Sequence, residues 1–224
     1  MKTFVINFPN DTIRKRFQQR QLSGRNYTFI EGIDGYTLDY SKIKINQDKQ
    51  LFRKLKKGEI GCLMAHLKCY KKALELKLNK ILILEDDAEL NENFYSNMKI
   101  SLENIPTDWD IIKLTSTKVW RKYKDRVSKT TKINDYCSSI EGDHYGTQGY
   151  IINSDAMKTL LNYHVDNPLT YPSDNLLTKF NLKVYLLNED LLKIHRGFGS
   201  YTMNKDRYNK LELINKIDAM EIED

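Results

Sequence analysis

The sequence predicts an α/β fold, built as a mainly parallel sheet with helices on both faces. Segments rich in β-branched and aromatic residues alternate with segments whose apolar residues recur at helical spacing, which is typical of such sheets. Residues 81–84, Ile-Leu-Ile-Leu, form an apolar run that is typical of a strand buried on both faces. No repeats or low-complexity linkers interrupt the 224 residues, a length that suits one domain.

The first half of the chain supplies three predicted strands and two predicted helices. In order these are a strand over 2–8, a helix after Asp11 that carries Ile13, Phe17 and Leu22, a strand over 27–31, a helix over 59–78 and the strand over 81–84. Asp11 is placed to cap the first helix. Gly32 and Gly35 mark a tight turn after the second strand. Residues 42–57 are basic and poorly periodic, which predicts an exposed excursion.

The second half continues the alternation. Its predicted elements are a helix over 92–102, strands over 109–114 and 149–152, a helix over 156–163, a short helix over 174–180 and a strand over 183–187. Ser154 is placed to cap the helix over 156–163. We expect residues 1–203 to form one domain and residues 204–224, which are highly charged, to form a tail.

Composition and charge exclude some classes of protein. The mean hydropathy of −0.60 and the lack of any stretch of about 20 apolar residues argue against a membrane-spanning protein. Three cysteines without CxxC spacing argue against a disulfide framework or a zinc site, and a reducing cytoplasm is the simplest compartment. The net charge is +6, and residues 42–80 alone carry 12 Lys or Arg against 3 acids. Residues 113–132 carry 8 against 1, so anionic partners are favoured, although a solvated Lys-rich surface explains both segments equally well.

The most informative chemistry is the acidic triplet of Glu85, Asp86 and Asp87, which directly follows the apolar strand. Ligands of open α/β sheets bind at the carboxyl ends of the strands. Adjacent carboxylates repel one another unless a cation lies among them, and hard oxygen ligands suit Mn²⁺ or Mg²⁺. The triplet therefore predicts a metal site for nucleotide chemistry. A solvated acidic turn or an acid-rich helix N-terminus is the structural alternative.

The sequence around this triplet resembles glycosyltransferase family 25, the lipooligosaccharide galactosyltransferase family. Four matches carry the resemblance: Val5-Ile6-Asn7 with Arg14 and Arg16; Glu31-Gly32-Ile33-Asp34-Gly35; Gly58-Glu59-Ile60-Gly61-Cys62 with His66 and then Leu82 to Ala88; and Gly146 to Asn153 with Ala156, Leu160, Leu161, Pro172 and Asp174. The chain departs from the family pattern at Phe8-Pro9-Asn10, Ala65 and Gly149.

The resemblance implies a GT-A-like fold, with residues 1–115 binding the nucleotide sugar and residues 116–203 shaping the acceptor site. It implies a UDP-sugar donor, commonly UDP-galactose, inversion at the anomeric carbon, and a glycolipid or oligosaccharide acceptor. We expect a cytoplasmic protein that contacts the anionic inner leaflet of the membrane peripherally. We expect no nucleic acid partner.

Roles follow for individual residues under this resemblance. Asp87 is expected to ligate Mn²⁺ or Mg²⁺, with Glu85 and His195 as further metal candidates. The expected donor-binding residues are Asn7, Arg14, Asp34, Gly35, His66, Glu85, Asp86, Thr147 and Gln148. Each has a structural alternative: Arg14 as a solvated helix charge, His66 as a structural histidine, residues 146–148 as a plain turn and His195 as an exposed loop residue.

An inverting transfer needs a general base opposite the leaving group. Asp174 is the candidate, because it lies in the acceptor half at a loop-to-helix junction, and Asp143 is held in reserve. Helix capping is the alternative for Asp174. The aromatic candidates for stacking on sugars are Tyr145, Tyr150, Tyr171 and Trp120.

Three other kinds of protein fit part of the pattern. One is a basic module that binds RNA or another anionic partner without catalysis, although RNA-binding signatures are absent from the sequence. Another is a nucleotidyltransferase, which would usually carry a Gly-rich phosphate loop near its N-terminus. The last is a catalytically inactive relative of the family.

Overall fold

A computed structural model describes residues 1–49, 53–116, 129–195 and 197–198. Among them, eight strands form one sheet, in the spatial order β2-β1-β3-β8-β5-β9-β7-β6. The strands of this sheet are β1 (Lys2–Asn7), β2 (Tyr27–Glu31), β3 (Lys80–Glu85), β5 (Ile111–Lys113), β6 (Lys129–Lys132), β7 (Cys137–Glu141), β8 (Gly149–Asn153) and β9 (Val184–Leu187). A second sheet pairs β4 (Ala88–Leu90) with β10 (Leu192–Ile194), neither of which we predicted.

The large sheet is mixed but mainly parallel. Strands β2, β1 and β3 are parallel neighbours, and so are β5 and β9. Strand β8 lies antiparallel between β3 and β5, and β7 lies antiparallel between β9 and β6. Six of the eight strands therefore run in one direction. Because β8 of the second half lies between β3 and β5, both predicted halves contribute to one continuous sheet.

Helices cover both faces of this sheet, as predicted. The helices are α1 (Thr12–Gln21), α2 (Lys57–Glu75), α3 (Phe94–Asn104), α4 (Ser154–Asp166) and the single-turn α5 (Ser173–Leu176). Alternate residues of β3 enter different cores, since side chains of successive strand residues point to opposite faces. Ile81 and Ile83 pack with residues of α2, α4 and α5, whereas Leu82 and Leu84 pack with Phe94 of α3.

The helix ends agree with the predictions in one case and differ in two. Asp11 caps α1, because its carboxylate accepts a hydrogen bond from the Arg14 N–H at 3.0 Å. The N-cap of α4 is Asn153 rather than Ser154, since the Asn153 side chain accepts from the Ala156 N–H at 2.8 Å. The predicted helix over 174–180 is a single turn, and Phe180 has a positive φ of 62°, which is incompatible with a continuing right-handed helix.

The turn after β2 packs directly on the first turn of α2. A Cβ on Gly35 would lie 1.7 Å from the Lys57 carbonyl oxygen, and a Cβ on Gly61 would lie 2.2 Å from the Ile33 carbonyl oxygen. Both positions therefore require glycine. This contact explains why glycines recur in the two sequence motifs, and it fixes the end of α2 that approaches the acidic triplet.

Several expectations concern segments around this core. The excursion over 42–57 is not wholly exposed, because Leu55 is buried and Ile45 forms an isolated bridge with Leu169. None of the described helices is long and apolar enough to cross a membrane. Trp120, most of the basic segment 113–132 and the tail 204–224 lie outside the described residues, and the division at residue 115 remains a prediction.

Candidate active site

The acidic triplet lies where three strands meet. Strand β3 ends at Glu85, and the register of the parallel pair places Ile6 of β1 beside it. On the other side, the Glu85 N–H donates to the Gln148 carbonyl at 2.9 Å, directly before β8 begins. The carboxyl ends of β1 and β3 and the start of the antiparallel β8 therefore form one edge, and the predicted residues from both halves of the chain converge there.

Asp86 is held by two residues from the beginning of the chain. Its Oδ1 accepts from the Arg14 guanidinium at 2.7 Å, and its Oδ2 accepts from the Asn7 amide at 2.9 Å. Arg14 is only 4% exposed and also pairs with Asp11 at 3.2 Å. Arg14 is therefore not a solvated helix charge. Burial raises the pKa of Asp86, while Arg14 and Asn7 act in the opposite direction.

Asp87 has a different environment from Asp86. It is 8% exposed, and among the described residues its buried Oδ1 has no hydrogen-bond partner. Burial, followed by the charges of Glu85 and Asp86, raises the pKa of Asp87 to about 8. Burying a carboxylate oxygen without a partner is costly, and a bound cation would remove that cost. The residues present therefore fit the predicted divalent metal.

His195 lies next to Asp87 through the small sheet that the sequence analysis missed. Because β10 pairs with β4, the His195 N–H donates to the Asp87 carbonyl at 2.8 Å. The His195 ring stacks on Phe198, with centroids 4.3 Å apart, and its Nδ1 accepts from the Gly197 N–H at 3.2 Å. This pairing brings the backbone of His195 to the triplet, and the role of its ring as a metal ligand remains a prediction.

Glu85 belongs to a buried chain of polar groups. It accepts a short hydrogen bond from the Thr147 hydroxyl, and its Oε1 lies 3.3 Å from His66 Nε2. His66 Nδ1 is 2.7 Å from the Tyr150 hydroxyl, which is 2.7 Å from the Tyr70 hydroxyl. Burial alone would raise the pKa of Glu85. Three contacts outweigh burial and lower this pKa: the hydrogen bond from His66, the charge of His66 and the hydrogen bond from the Thr147 hydroxyl.

His66 and Thr147 both contact a carboxylate of the triplet, and their donor-binding roles remain predictions. Tyr150 is fully buried, so the prediction that it stacks on a sugar is wrong. The Gln148 Oε1 is buried without a partner among the described residues, which leaves an acceptor at the same edge.

Asp174 contacts Gly146, the residue directly before Thr147. Its Oδ2 accepts from the Gly146 N–H at 3.2 Å, and its Oδ1 accepts from the Asn175 N–H at 2.9 Å. The N-cap of α5 is Pro172, so Asp174 is not the cap of this helix. Burial raises the pKa of Asp174, the Lys113 charge opposes this effect, and the charge of Glu85 adds to it.

Lys113 is a site residue that the sequence analysis missed. Its side chain is 1% exposed, and its ammonium donates to the carbonyls of His144 at 2.9 Å and Tyr145 at 3.3 Å. Burial lowers the pKa of Lys113 to about 8, although Asp174 and Glu85 oppose this shift. One sequence feature could have indicated Lys113: it directly follows two apolar residues of a predicted buried strand, so its side chain was placed to be buried as well.

Three other predicted residues lie in less specific surroundings. Asp143 pairs with Lys179 at 2.7 Å and is about one-third exposed. Asp34 accepts from the Tyr36 N–H at 2.8 Å within its own turn. Gly35 makes the close contact with α2 described above. For Asp143, Asp34 and Gly35, the catalytic or donor-binding roles remain predictions.

Comparisons with known proteins identify the family of this chain. Residues 1–177 match the family model described as glycosyltransferase family 25 (LPS biosynthesis protein). Procollagen galactosyltransferase 2 of Homo sapiens is 26% identical over 172 residues, which cover 70% of this chain and 27% of that protein. A putative glycosyltransferase of Haemophilus influenzae is 29% identical over 179 residues, covering 78% of this chain and 61% of that protein. The chain thus spans less than two thirds of either relative.

The chain also has a distant similarity to a solved structure. That structure is a glycosyltransferase involved in the glycosylation of the major capsid of PBCV-1, with a TM-score of 0.40 and 13% identity, covering 75% of this chain and 67% of that chain. The family match covers most of the chain, including the triplet and all of its contacts up to α5. The chain belongs to glycosyltransferase family 25.

Proposed function

We propose that the protein is an inverting glycosyltransferase that moves a sugar, galactose in the simplest case, from a UDP-sugar to a lipooligosaccharide or other surface-glycan acceptor. Family membership supports the class of reaction. The observation that carries the proposal is the buried carboxyl of Asp87, whose Oδ1 has no hydrogen-bond partner among the described residues. It lies at the carboxyl edge of the sheet, where nucleotides bind in open α/β folds.

Asp87 would hold Mn²⁺ or Mg²⁺, with Glu85 and His195 as the further ligands. When bound, the metal supplies positive charge to the diphosphate of the donor and so stabilises the UDP leaving group. Asp86 is less suited to this task, because the Arg14 guanidinium already compensates its charge, although each oxygen keeps a lone pair that can accept a hydrogen bond.

The surrounding residues would position the nucleotide. Arg14 and Asn7 fix the orientation of Asp86, and Asp86 would then accept hydrogen bonds from the ribose. Thr147 and His66 hold Glu85 in its ionised form, consistent with its lowered pKa. Preorganised side chains of this kind lose little entropy when the donor binds. Gln148, Asp34 and Gly35 remain further donor-binding candidates in the proposal.

Asp174 would act as the general base. In an inverting transfer, its carboxylate takes the proton of the acceptor hydroxyl as that oxygen attacks the anomeric carbon. A raised pKa makes a carboxylate a better proton acceptor, and burial raises the pKa of Asp174. Asp143, the reserve candidate, is paired with Lys179, and an ammonium partner makes a carboxylate a weaker base.

The acceptor and the cellular location are also part of the proposal. Acceptors in surface-glycan assembly are phosphorylated and membrane-bound, and the basic residues between positions 42 and 80 would attract them. Such a surface would place the protein in the cytoplasm, in peripheral contact with the inner leaflet.

The experiment is a thermal-shift panel with UDP-, GDP-, CMP- and ADP-sugars, each with and without Mn²⁺. It compares the native protein with Asp87→Asn and with Asp155→Asn, which changes an exposed acid on α4. At a ligand concentration of 100 times Kd, the protein gains about 2.7 kcal/mol of stability. We expect this gain for a UDP-sugar only with Mn²⁺, in the native protein and in Asp155→Asn but not in Asp87→Asn.

Asp174→Asn separates binding from chemistry. It should keep the Mn²⁺-dependent shift while the rate of UDP release with a lipooligosaccharide acceptor falls by roughly 10²- to 10⁴-fold. If no nucleotide sugar stabilises the native protein, the proposal fails, and the basic surface becomes the site to study as an anion-binding module.

A further inference from the structure

A second group of potential metal ligands lies beside the acidic triplet. Cys62 and His66 are four residues apart on α2, so their side chains share one face of the helix. Glu85 at the end of β3 faces them. One ligand atom from each of Cys62, His66 and Glu85 lies within 4.8 Å of the other two. The absence of CxxC spacing argued against a zinc site, but a Cys-x₃-His pair on a helix brings two ligands together without that spacing.

The imidazole of His66 is oriented as in a metal ligand. It is 1% exposed, and its Nδ1 lies 2.7 Å from the Tyr150 hydroxyl, which in turn lies 2.7 Å from the Tyr70 hydroxyl. This chain directs Nε2 to Glu85 Oε1, 3.3 Å away. Metal-binding histidines usually have their second ring nitrogen fixed in this way, because the outer contact sets the tautomer and the ring orientation.

The surroundings of Cys62 also favour a cation. Its thiol lies 3.3 Å from the Ser173 hydroxyl, which is 3.4 Å from the Thr147 hydroxyl. Burial raises the pKa of the Cys62 thiol well above its usual value, and the negative charges of Glu85, Asp174 and Asp87 add to this rise. The same negative field would stabilise a divalent cation between the thiol and the carboxylates.

We propose that Cys62, His66 and Glu85 form a binding site for a thiophilic divalent cation such as Zn²⁺, separate from the position for Mn²⁺ or Mg²⁺ at Asp87. Thiolate sulfur and imidazole nitrogen select Zn²⁺ over Mn²⁺ and Mg²⁺, which prefer oxygen. The three side chains leave the fourth tetrahedral position to water. Binding releases the thiol proton of Cys62 to the solvent, so affinity rises with pH.

One consequence rests on the proposed function. Glu85 is a candidate ligand in both places, so a Zn²⁺ ion at Cys62 would remove it from the donor site. Zn²⁺ would then oppose binding of the nucleotide sugar, even when Mn²⁺ is present.

The test uses Co²⁺ as a spectroscopic probe for the zinc site. Thiolate coordination gives a sulfur-to-cobalt charge-transfer band in the near ultraviolet, which Zn²⁺ abolishes by displacing the cobalt. We expect this band in the native protein and in Cys69→Ala, which changes a buried thiol on the same helix. The band should be absent in Cys62→Ala. In Zn²⁺ competition with a chromophoric chelator, Cys62→Ala should bind at least about tenfold more weakly than Cys69→Ala.

A second measurement needs no variant. Cys62 is half-buried, whereas Cys69 and Cys137 are buried, and alkylation of Cys62 by a small reagent can be followed separately by peptide mass spectrometry. Stoichiometric Zn²⁺ should slow this reaction, and Mg²⁺ should not. Unchanged alkylation would overturn the proposal, as would a cobalt band that survives in Cys62→Ala.

Asp87→Asn separates this inference from the proposed function. The cobalt band should persist in this variant, while Mn²⁺-dependent binding of the UDP-sugar is lost. Loss of the band in Asp87→Asn would mean that the cation lies in the acidic triplet instead, and the second site would be rejected. Failure of every nucleotide sugar to bind would reject the proposed function without changing the cobalt result.

Discussion

The ion pair between Arg14 and Asp86 should be the most costly single contact to remove from the site. The two side chains are 4% and 8% exposed, and NH1 of Arg14 lies 2.7 Å from Oδ1 of Asp86. In Arg14→Met the aliphatic volume is largely kept, but the buried carboxylate loses its cation. Removing one partner of a buried pair typically costs about 3–5 kcal/mol. We expect the lower end, about 3 kcal/mol near pH 7.5, because the Asn7 amide still donates to Asp86 and a raised pKa allows this carboxyl to bind a proton.

The double variant Arg14→Met with Asp86→Asn tests the cause. It removes one of the two buried carboxylates that lose Arg14, the other being Asp11, so we expect it to recover about half of the stability lost in Arg14→Met. Arg16→Met is the matched control, because Arg16 is an exposed arginine on the same helix. Its effect should stay within about 0.5 kcal/mol of zero.

The assay is urea unfolding of all four proteins at pH 7.5 and pH 5.5. In Arg14→Met the folded-state pKa of Asp86 rises further above its unfolded value of about 3.9. The unfolded state then binds fewer protons than the folded state between those two pKa values, so stability falls as pH rises through that window. The deficit of Arg14→Met should therefore shrink at pH 5.5. A deficit equal to that of Arg16→Met, or one that Asp86→Asn does not relieve, would refute this reasoning.

Two further predictions concern packing and a buried charge. Gly35→Ala should lower the free energy of unfolding by about 1–3 kcal/mol or more, because its Cβ would lie 1.7 Å from a backbone oxygen. Gly32→Ala changes the same turn at a point where the nearest atom is 3.4 Å away, so it should lower this free energy much less. Equal losses of stability in urea unfolding would contradict this prediction. Lys113→Met should remove a pH-dependent contribution to the free energy of unfolding. The pKa of Lys113 is about 8 in the folded state and about 10.4 in the unfolded state. The native protein, but not the variant, therefore gains stability from this residue as pH rises from about 8 to 10. A difference in unfolding free energy between native protein and Lys113→Met that does not change over this range would contradict the assignment.

The sequence predicted those parts of the molecule that depend on local pattern. The apolar run of β3 is buried on both faces because its residues alternate between two cores, and the triplet follows at the ligand-binding edge as expected. Asp11 caps α1 because a single side chain can satisfy a nearby backbone N–H. These features need only neighbouring residues, so periodicity and capping rules were sufficient.

Features that depend on strand direction were not predictable in the same way. Alternation of strands and helices predicted a mainly parallel sheet and gave no direction for β8; a parallel β8 would have placed Thr147 at the edge opposite the triplet. The antiparallel pairing of β8 with β3 instead brings Thr147 to Glu85. The pairing of β4 with β10 likewise brings His195 to Asp87. Strands of three residues carry little pattern of their own, and their partners are distant in sequence. The resemblance to the family placed these residues in the site, whereas periodicity alone did not.

The three successive carboxyls of the triplet have different contacts because the chain leaves the strand at this point. Glu85 is the last residue of β3 and meets His66 and Thr147, which lower its pKa. Asp86 meets Arg14 and Asn7, so both of its oxygens are engaged. Asp87 meets two negative neighbours and, at Oδ1, no described donor, which raises its pKa. A cation that entered this edge would therefore gain most at Asp87, since there it both relieves repulsion and supplies the missing partner. The order of the three residues along the strand end thus separates a carboxylate held by His66 and Thr147, a carboxylate fixed by arginine and the proposed metal ligand, although their side chains are chemically almost the same.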